Sequence, residues 1–178
     1  MVWENTTNSS NIKNYVLNLN GTDHIRLKHI TFKHQGSVAA RNITLIGVVD
    51  SVTIDSCRFL GYQGSTSHNY SLIYGYEIDA AGLKIMNSAF IDGGGHAIYL
   101  SSSNSSSSPT GLVISGNTIT DTYGGIYARY YDGVTIRGNT IKGSYLHGQG
   151  IDLRYCDGAN VICLLYTSPS PRDLSTSR

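Results

Sequence analysis

Charge is scarce in this chain: Asp, Glu, Lys and Arg together make up 14% of 178 residues, and the formal net charge is +1. No basic excess is available to neutralise phosphates, so a nucleic-acid partner is not expected. Long apolar runs are missing too, and nothing approaches the ~20 residues of a bilayer-spanning helix. The opening MVWENTTNSS has neither the basic nor the apolar stretch of a signal peptide. Three cysteines and three prolines are too few for a disulfide scaffold or a proline-rich linker. What is present instead is glycine (20), tyrosine (13) and many Ser, Thr and Asn residues. That composition suits turns, strands and an uncharged polar surface, as in an extracellular or carbohydrate-facing protein.

One short phrase recurs along the chain: HIRLKHITF from His24, SVTIDSCRF from Ser51, GLKIMNSAF from Gly82, GLVISGNTI from Gly111, GVTIRGNTI from Gly133 and a broken GANVI from Gly158. With Leu27, Ile54, Ile85, Ile114, Ile136 and Val161 as anchors, the period is 27, 31, 29, 22 and 25 residues. Inside each phrase apolar residues alternate, and another follows five beyond the anchor at Phe32, Phe59, Phe90, Ile119 and Ile141. Period-two alternation marks short strands with one buried face. A further strand precedes the later phrases, as HAIYLS, GIYAR and GIDLR. A unit this small cannot bury its own inward face, whereas stacked copies place Ile on Ile and Phe on Phe. The expected fold is therefore all-β, a parallel β-helix solenoid of about five coils plus a partial sixth. Glycine and β-branched residues at this density disfavour helical repeats.

Turn residues keep the same register. Asp23, Asp50, Asp132 and Asp157 stand two residues before the first apolar position of their phrases, as befits tight turns. A calcium site built from this column is the competing reading, but Asx-turns explain each aspartate singly, so no metal or other cofactor is assigned. Asn117 and Asn139 share one station inside NTI, where stacked amides would satisfy buried polar groups. Cys57 and Cys156 fall about four coils apart, roughly 19 Å at ~4.8 Å per coil, too far for a disulfide. The serine run from Ser101 to Ser108 and the stretch from Gly64 to Tyr70 read as insertions between strands.

The phrases DGVTIRGNTIKGS and TGLVISGNTITDTYGGIYARYYD resemble the right-handed β-helix repeat of the pectin-lyase-like superfamily. YVLNLNGTDHIRLKHITFKH followed by SVTIDSCRF looks most like the β-helix regions of large secreted or surface-attached bacterial proteins. The resemblance implies a right-handed solenoid over residues 12–162, with 1–11 as an irregular lead-in. It does not imply one activity, because the superfamily holds lyases, hydrolases, epimerases and proteins without known catalysis. The run CLLYTSPSPRDLSTSR from Cys163 to Arg178 looks like the translation of a sequencing-library adapter and is set apart as a non-native tail. Without its Arg172, Arg178 and Asp173, eleven basic residues face eleven acidic ones. On that reading the chain is a fragment whose neighbours are further coils of a parent chain, and its uncapped ends should promote aggregation.

Two sets of side chains stand out as candidate sites. Gly93-Gly94-Gly95-His96 is similar to the Gly-His-Gly stretch of polygalacturonase-type hydrolases, which would make His96 catalytic with Glu77, Asp79 and Asp92 as carboxylates. The paired-aspartate and Arg-x-Lys motifs of those enzymes are missing. The second set comes from strand alternation, which aligns Tyr99, Tyr127 and Asp152 in one outward column and Ser101, Arg129 and Arg154 in the next. Tyrosine faces beside guanidinium groups suit sugar rings and acidic groups, so polysaccharide is the expected partner of Tyr99, Tyr127, Arg129, Asp152 and Arg154. Together these features lead to a non-catalytic spacer of a secreted or surface protein with a glycan-contacting face. The alternative is a carbohydrate-active enzyme acting on acidic polysaccharide.

Overall fold

The computed structural model describes residues 1–5, 14–34, 36, 38, 40–103, 108–143, 149–162 and 164–167. The serine run at 104–107 and the tail residues 163 and 168–178 lie outside the described residues. After β1 (Val2–Asn5) the chain repeats one pattern of three strands. The first coil is β2 (Tyr15–Asn20), β3 (Arg26–Lys28) and β4 (Thr31–His34). The second is β5 (Arg41–Ile46), β6 (Thr53–Asp55) and β7 (Arg58–Leu60). A 3-10 turn (His68–Tyr70) then leads to β8 (Ile73–Ile78), β9 (Lys84–Met86) and β10 (Ala89–Ile91). The fourth is β11 (His96–Ser102), β12 (Val113–Ser115) and β13 (Thr118–Thr120). The fifth is β14 (Gly124–Arg129), β15 (Thr135–Arg137) and β16 (Thr140–Lys142). A last set follows as β17 (Ile151–Arg154), β18 (Asn160–Ile162) and β19 (Leu165–Thr167).

Equivalent strands stack into three parallel sheets. We call the sheet of β1, β4, β7, β10, β13, β16 and β19 sheet A. Sheet B is β2, β5, β8, β11, β14 and β17, and sheet C is β3, β6, β9, β12, β15 and β18. The anchors form one file, interior from Leu27 opposite Ile54 through Ile85 and Ile114 to Ile136 and ending at the exposed Val161. Ile54, Ile85, Ile114 and Ile136 are fully buried. In sheet A the file is aromatic: Phe32 and Phe59 stack at 5.2 Å, and Phe59 and Phe90 at 4.6 Å, before Ile119 and Ile141 continue it. Burying a side chain of this size stabilises by about 1.5–3 kcal/mol, and within the files each one packs on an apolar side chain of the neighbouring coil.

Between sheets C and A the bend is held by a side-chain ladder. Asn117 Oδ1 accepts from the Ser88 N–H, Asn139 Oδ1 accepts from the Asn117 N–H, and Ser88 Oγ accepts from the Cys57 N–H. The amides donate back: Asn117 Nδ2 to the Ile85 carbonyl and Asn139 Nδ2 to that of Ile114, each at 2.9 Å. The two asparagines seen in the sequence are thus half of a Cys57–Ser88–Asn117–Asn139 ladder. Left-handed backbone also falls at fixed stations. Ser56, Asn87, Gly116 and Gly138, each just before a ladder residue, have φ between 51° and 65°, as does His29 at the same station one coil earlier.

The ends depart from expectation. Residues 2–5 are not an irregular lead-in but pair as β1 with β4, because Trp3 packs edge-on against Phe32 at 5.4 Å and Glu4 pairs with Lys33. At the other end β19, inside the segment set apart as a tail, pairs with β16. A free strand edge bonds through backbone alone and accepts any extended segment that reaches it.

Candidate functional site

Sheet B carries both candidate sets. Its outward columns are aligned by pairing: Tyr74 opposite Tyr99, then Tyr127, then Asp152, and beside them Tyr76, Ser101, Arg129 and Arg154. Tyr74 and Tyr76 extend the columns one coil further than the sequence reading placed them.

Alignment does not leave the rings open. Tyr99 and Tyr127 stack face to face at 4.5 Å and 6°, and Tyr74 and Tyr99 at 5.4 Å and 9°. Arg41 lies 3.8 Å over the free side of Tyr74, and Arg154 lies 5.4 Å from the Tyr127 centroid. From the inserted loop, His68 adds a ring 5.1 Å from Tyr99. The faces on which a sugar would stack are therefore covered by neighbouring coils, and edges point outward. Burial, reinforced by Tyr127 and Tyr74, pushes the Tyr99 hydroxyl up to about 12, so it stays a neutral donor.

The charged members are also engaged. Arg154 binds Asp152 through Nε and Nη2, the latter at 2.7 Å. Arg129 Nη2 donates to the Tyr130 hydroxyl at 2.6 Å, and its guanidinium lies over the Tyr130 ring, itself stacked on Tyr155 at 4.9 Å. The Arg154 side chain remains 53% exposed.

His96 sits at the start of β11 with its ring 5.7 Å from both Tyr99 and Tyr127. It is 9% exposed, and neither ring nitrogen has a hydrogen-bond partner of normal geometry. Burial lowers its pKa to about 4, with Asp152 and the Gln149 amide opposing that shift. The glycines before it answer to packing. A Cβ on Gly94 would fall 2.4 Å from the Ser65 carbonyl oxygen, and one on Gly95 2.6 Å from that of Ser67. Gly124 in the next coil leaves room for the His96 ring, 2.3 Å from where its own Cβ would be.

Glu77 and Asp79 do not gather round His96. Glu77, next to last in β8, has left-handed backbone at the turn station of Gly21, Gly47, Tyr130 and Tyr155. Asp79 follows it, bridged to Val48, at the end of sheet B opposite His96, roughly 20 Å of strand away. Asp92 is a left-handed turn residue beyond the near end, like Asp121, and accepts from Gln63 Nε2. Among the described residues no group of three His, Cys, Asp or Glu side chains could hold a metal. In the aspartate column, Asp23 Oδ1 accepts from the Asp50 N–H and Asp50 Oδ1 from the Ala81 N–H, so these carboxylates tie turn to turn.

Three parallel sheets, a polar ladder at one bend and an outward aromatic row define the class: a parallel β-solenoid. Residues 73–163, half of the chain, match the model of the right-handed beta helix region family, and the chain belongs to that family. No curated protein and no solved structure matches it.

Proposed function

We propose that the chain serves as a non-catalytic, rigid spacer within a large secreted or cell-surface bacterial protein. What supports this reading is that the tyrosines and arginines of the outward columns of sheet B are bound to one another, the rings between coils and Arg129 and Arg154 within their own. Tyr74, Tyr99 and Tyr127 stack on one another, and the two arginines at the ends cover the row. Interior files, backbone ladders on three sides and this outer row all resist the same deformation, the opening of one coil from the next. Glu77 and Asp79 lie too far along the strand from His96 to flank a common bond with it, as the paired groups of glycoside hydrolysis do. The exposed Arg154 guanidinium is the member of the outward set best placed to meet an acidic polysaccharide.

The test incubates the full chain with polygalacturonate, alginate and other acidic polysaccharides, following reducing ends and the ultraviolet absorbance of unsaturated uronates. No release above buffer is expected. Release that is lost in His96→Gln would overturn the non-catalytic reading.

A further inference from the structure

The near-zero charge balance of the coils conceals where the charges lie. The outward faces of sheets A and C carry seven Lys and Arg residues. Five of them, Arg26, Arg58, Lys84, Arg137 and Lys142, are exposed and have no ion-pair partner among the described residues. Only two carboxylates stand on these faces, and a lysine holds each: Lys33 meets Glu4 at 2.9 Å and Lys28 meets Asp55 at 3.3 Å. The other carboxylates of the described coils lie on the bends and on sheet B, as Asp50, Asp79 and Asp132 do between sheets B and C.

Between these two faces the bend carries an open groove that follows the solenoid axis. Thr31, Arg58 and Thr118 line its first part and Arg137 its second, with Asn87 and Gly116 common to both. Arg58 enters from sheet A and Arg137 from sheet C three coils on, roughly 14 Å away at ~4.8 Å per coil. Asp55 beside the groove is engaged by its own neighbours, accepting from Ser56 Oγ at 2.9 Å and Asn87 Nδ2 at 3.0 Å besides its contact with Lys28. A flat membrane would meet one sheet face at a time, because the two sheets turn away from each other at the bend, whereas a chain laid along the bend meets both. No aromatic side chain points outward from either sheet, so nucleic-acid bases would have nothing to stack on. The five free cations fall unevenly, in coils one, two, three and five. A polymer with widely spaced charges would miss most of them, and one with a charge at every short step would meet them all.

We propose that this groove binds a linear phosphate chain of the polyphosphate type, lying along the axis with its oxygens on the Arg58 and Arg137 guanidinium groups. A guanidinium fork matches a phosphate with two parallel hydrogen bonds, and the Thr31 and Thr118 hydroxyls can donate beside it. Arg26, Lys84 and Lys142 add attraction at longer range. The groove lies on other faces than the Tyr99–Arg154 set, and the spacer reading survives its failure.

Fluorescence anisotropy of end-labelled inorganic polyphosphate titrated with the full chain tests the site, with polyglutamate and a single-stranded DNA as comparators. Polyphosphate is expected to bind in the micromolar range at low salt, at least tenfold more tightly than either comparator, and to weaken steeply as salt rises. Arg58→Gln with Arg137→Gln should weaken it at least tenfold. Ile46→Glu with Val48→Glu lowers the net charge by the same amount at exposed positions away from the groove, and should change binding less than twofold. No binding at low salt, equal losses in the two pairs, or a comparator bound as tightly as polyphosphate would overturn the proposal. Should the arginine pair fail to fold, Lys84→Gln with Lys142→Gln decides in its place, with a loss of at least threefold expected and unchanged binding counting against the site.

Discussion

Replacing Asn117 by alanine probes the ladder at its centre. Asn117 is 1% exposed and makes three side-chain hydrogen bonds, to the Ser88 N–H, the Ile85 carbonyl and Asn139 Oδ1. Truncation leaves the Ser88 N–H buried without a partner and takes the side-chain donor from the Ile85 carbonyl, whereas Asn139 Oδ1 still accepts from the Asn117 backbone. An orphaned buried group costs about 1–3 kcal/mol and a lost hydrogen bond about 0.5–1.5 kcal/mol, so the change should cost about 1.5–4.5 kcal/mol. Urea unfolding followed by circular dichroism should show the midpoint falling with an unchanged slope. Asn117→Asp should cost more, since it loses both amide donors and buries a charge. A loss below about 0.5 kcal/mol, the level of a typical surface substitution, would refute the ladder as a source of stability.

Other perturbations follow from the same contacts. His96 has a folded-state pKa of about 4 against 6.5 for the free side chain. Unfolded chains then bind a proton that folded ones refuse, so stability present above pH 6.5 is lost as pH falls toward 4, by about 3 kcal/mol in all. His96→Phe should flatten most of that slope in urea titrations at successive pH values. His34, fully buried with Nε2 on Asn14 Oδ1 and Nδ1 accepting from the Gly36 N–H, adds to the loss in the same direction. For the outer row, a Tyr99→Ala and Tyr127→Ala double-mutant cycle should give a coupling of about 0.5–1.5 kcal/mol, and additive losses would deny the stack.

Much of this was legible in the sequence because the fold is built from equal offsets. Once Ile54 and Ile85 are taken as equivalent, Phe59 and Phe90 must lie opposite each other, while Tyr99 and Tyr127 are aligned by the likeness of HAIYLS to GIYAR. Orientation within a column is another matter. Nothing in the order of residues says that the tyrosines present edges rather than faces, since this depends on ring packing across coils. Arg41 was equally hidden, because its position is set by Asn69, 28 residues later, in an insertion that breaks the period. The turn role of Glu77 and Asp92 escaped notice because non-glycine residues occupy left-handed stations held elsewhere by glycine. Trp3 heads the aromatic file without belonging to any recognisable phrase, which left β1 unseen.

The most direct measurement is the urea unfolding of two internal deletions. Removing residues 115–136 takes out one period and joins Ile114 to Arg137, leaving every remaining station matched to its neighbours. That variant should unfold cooperatively as a shorter solenoid with native-like circular dichroism. Removing 115–125, half a period, should leave no cooperative transition, because inward files then face outward. Equal behaviour of the two deletions, whether both folded or both unfolded, would contradict the claim that matched stacking of successive coils holds the molecule together.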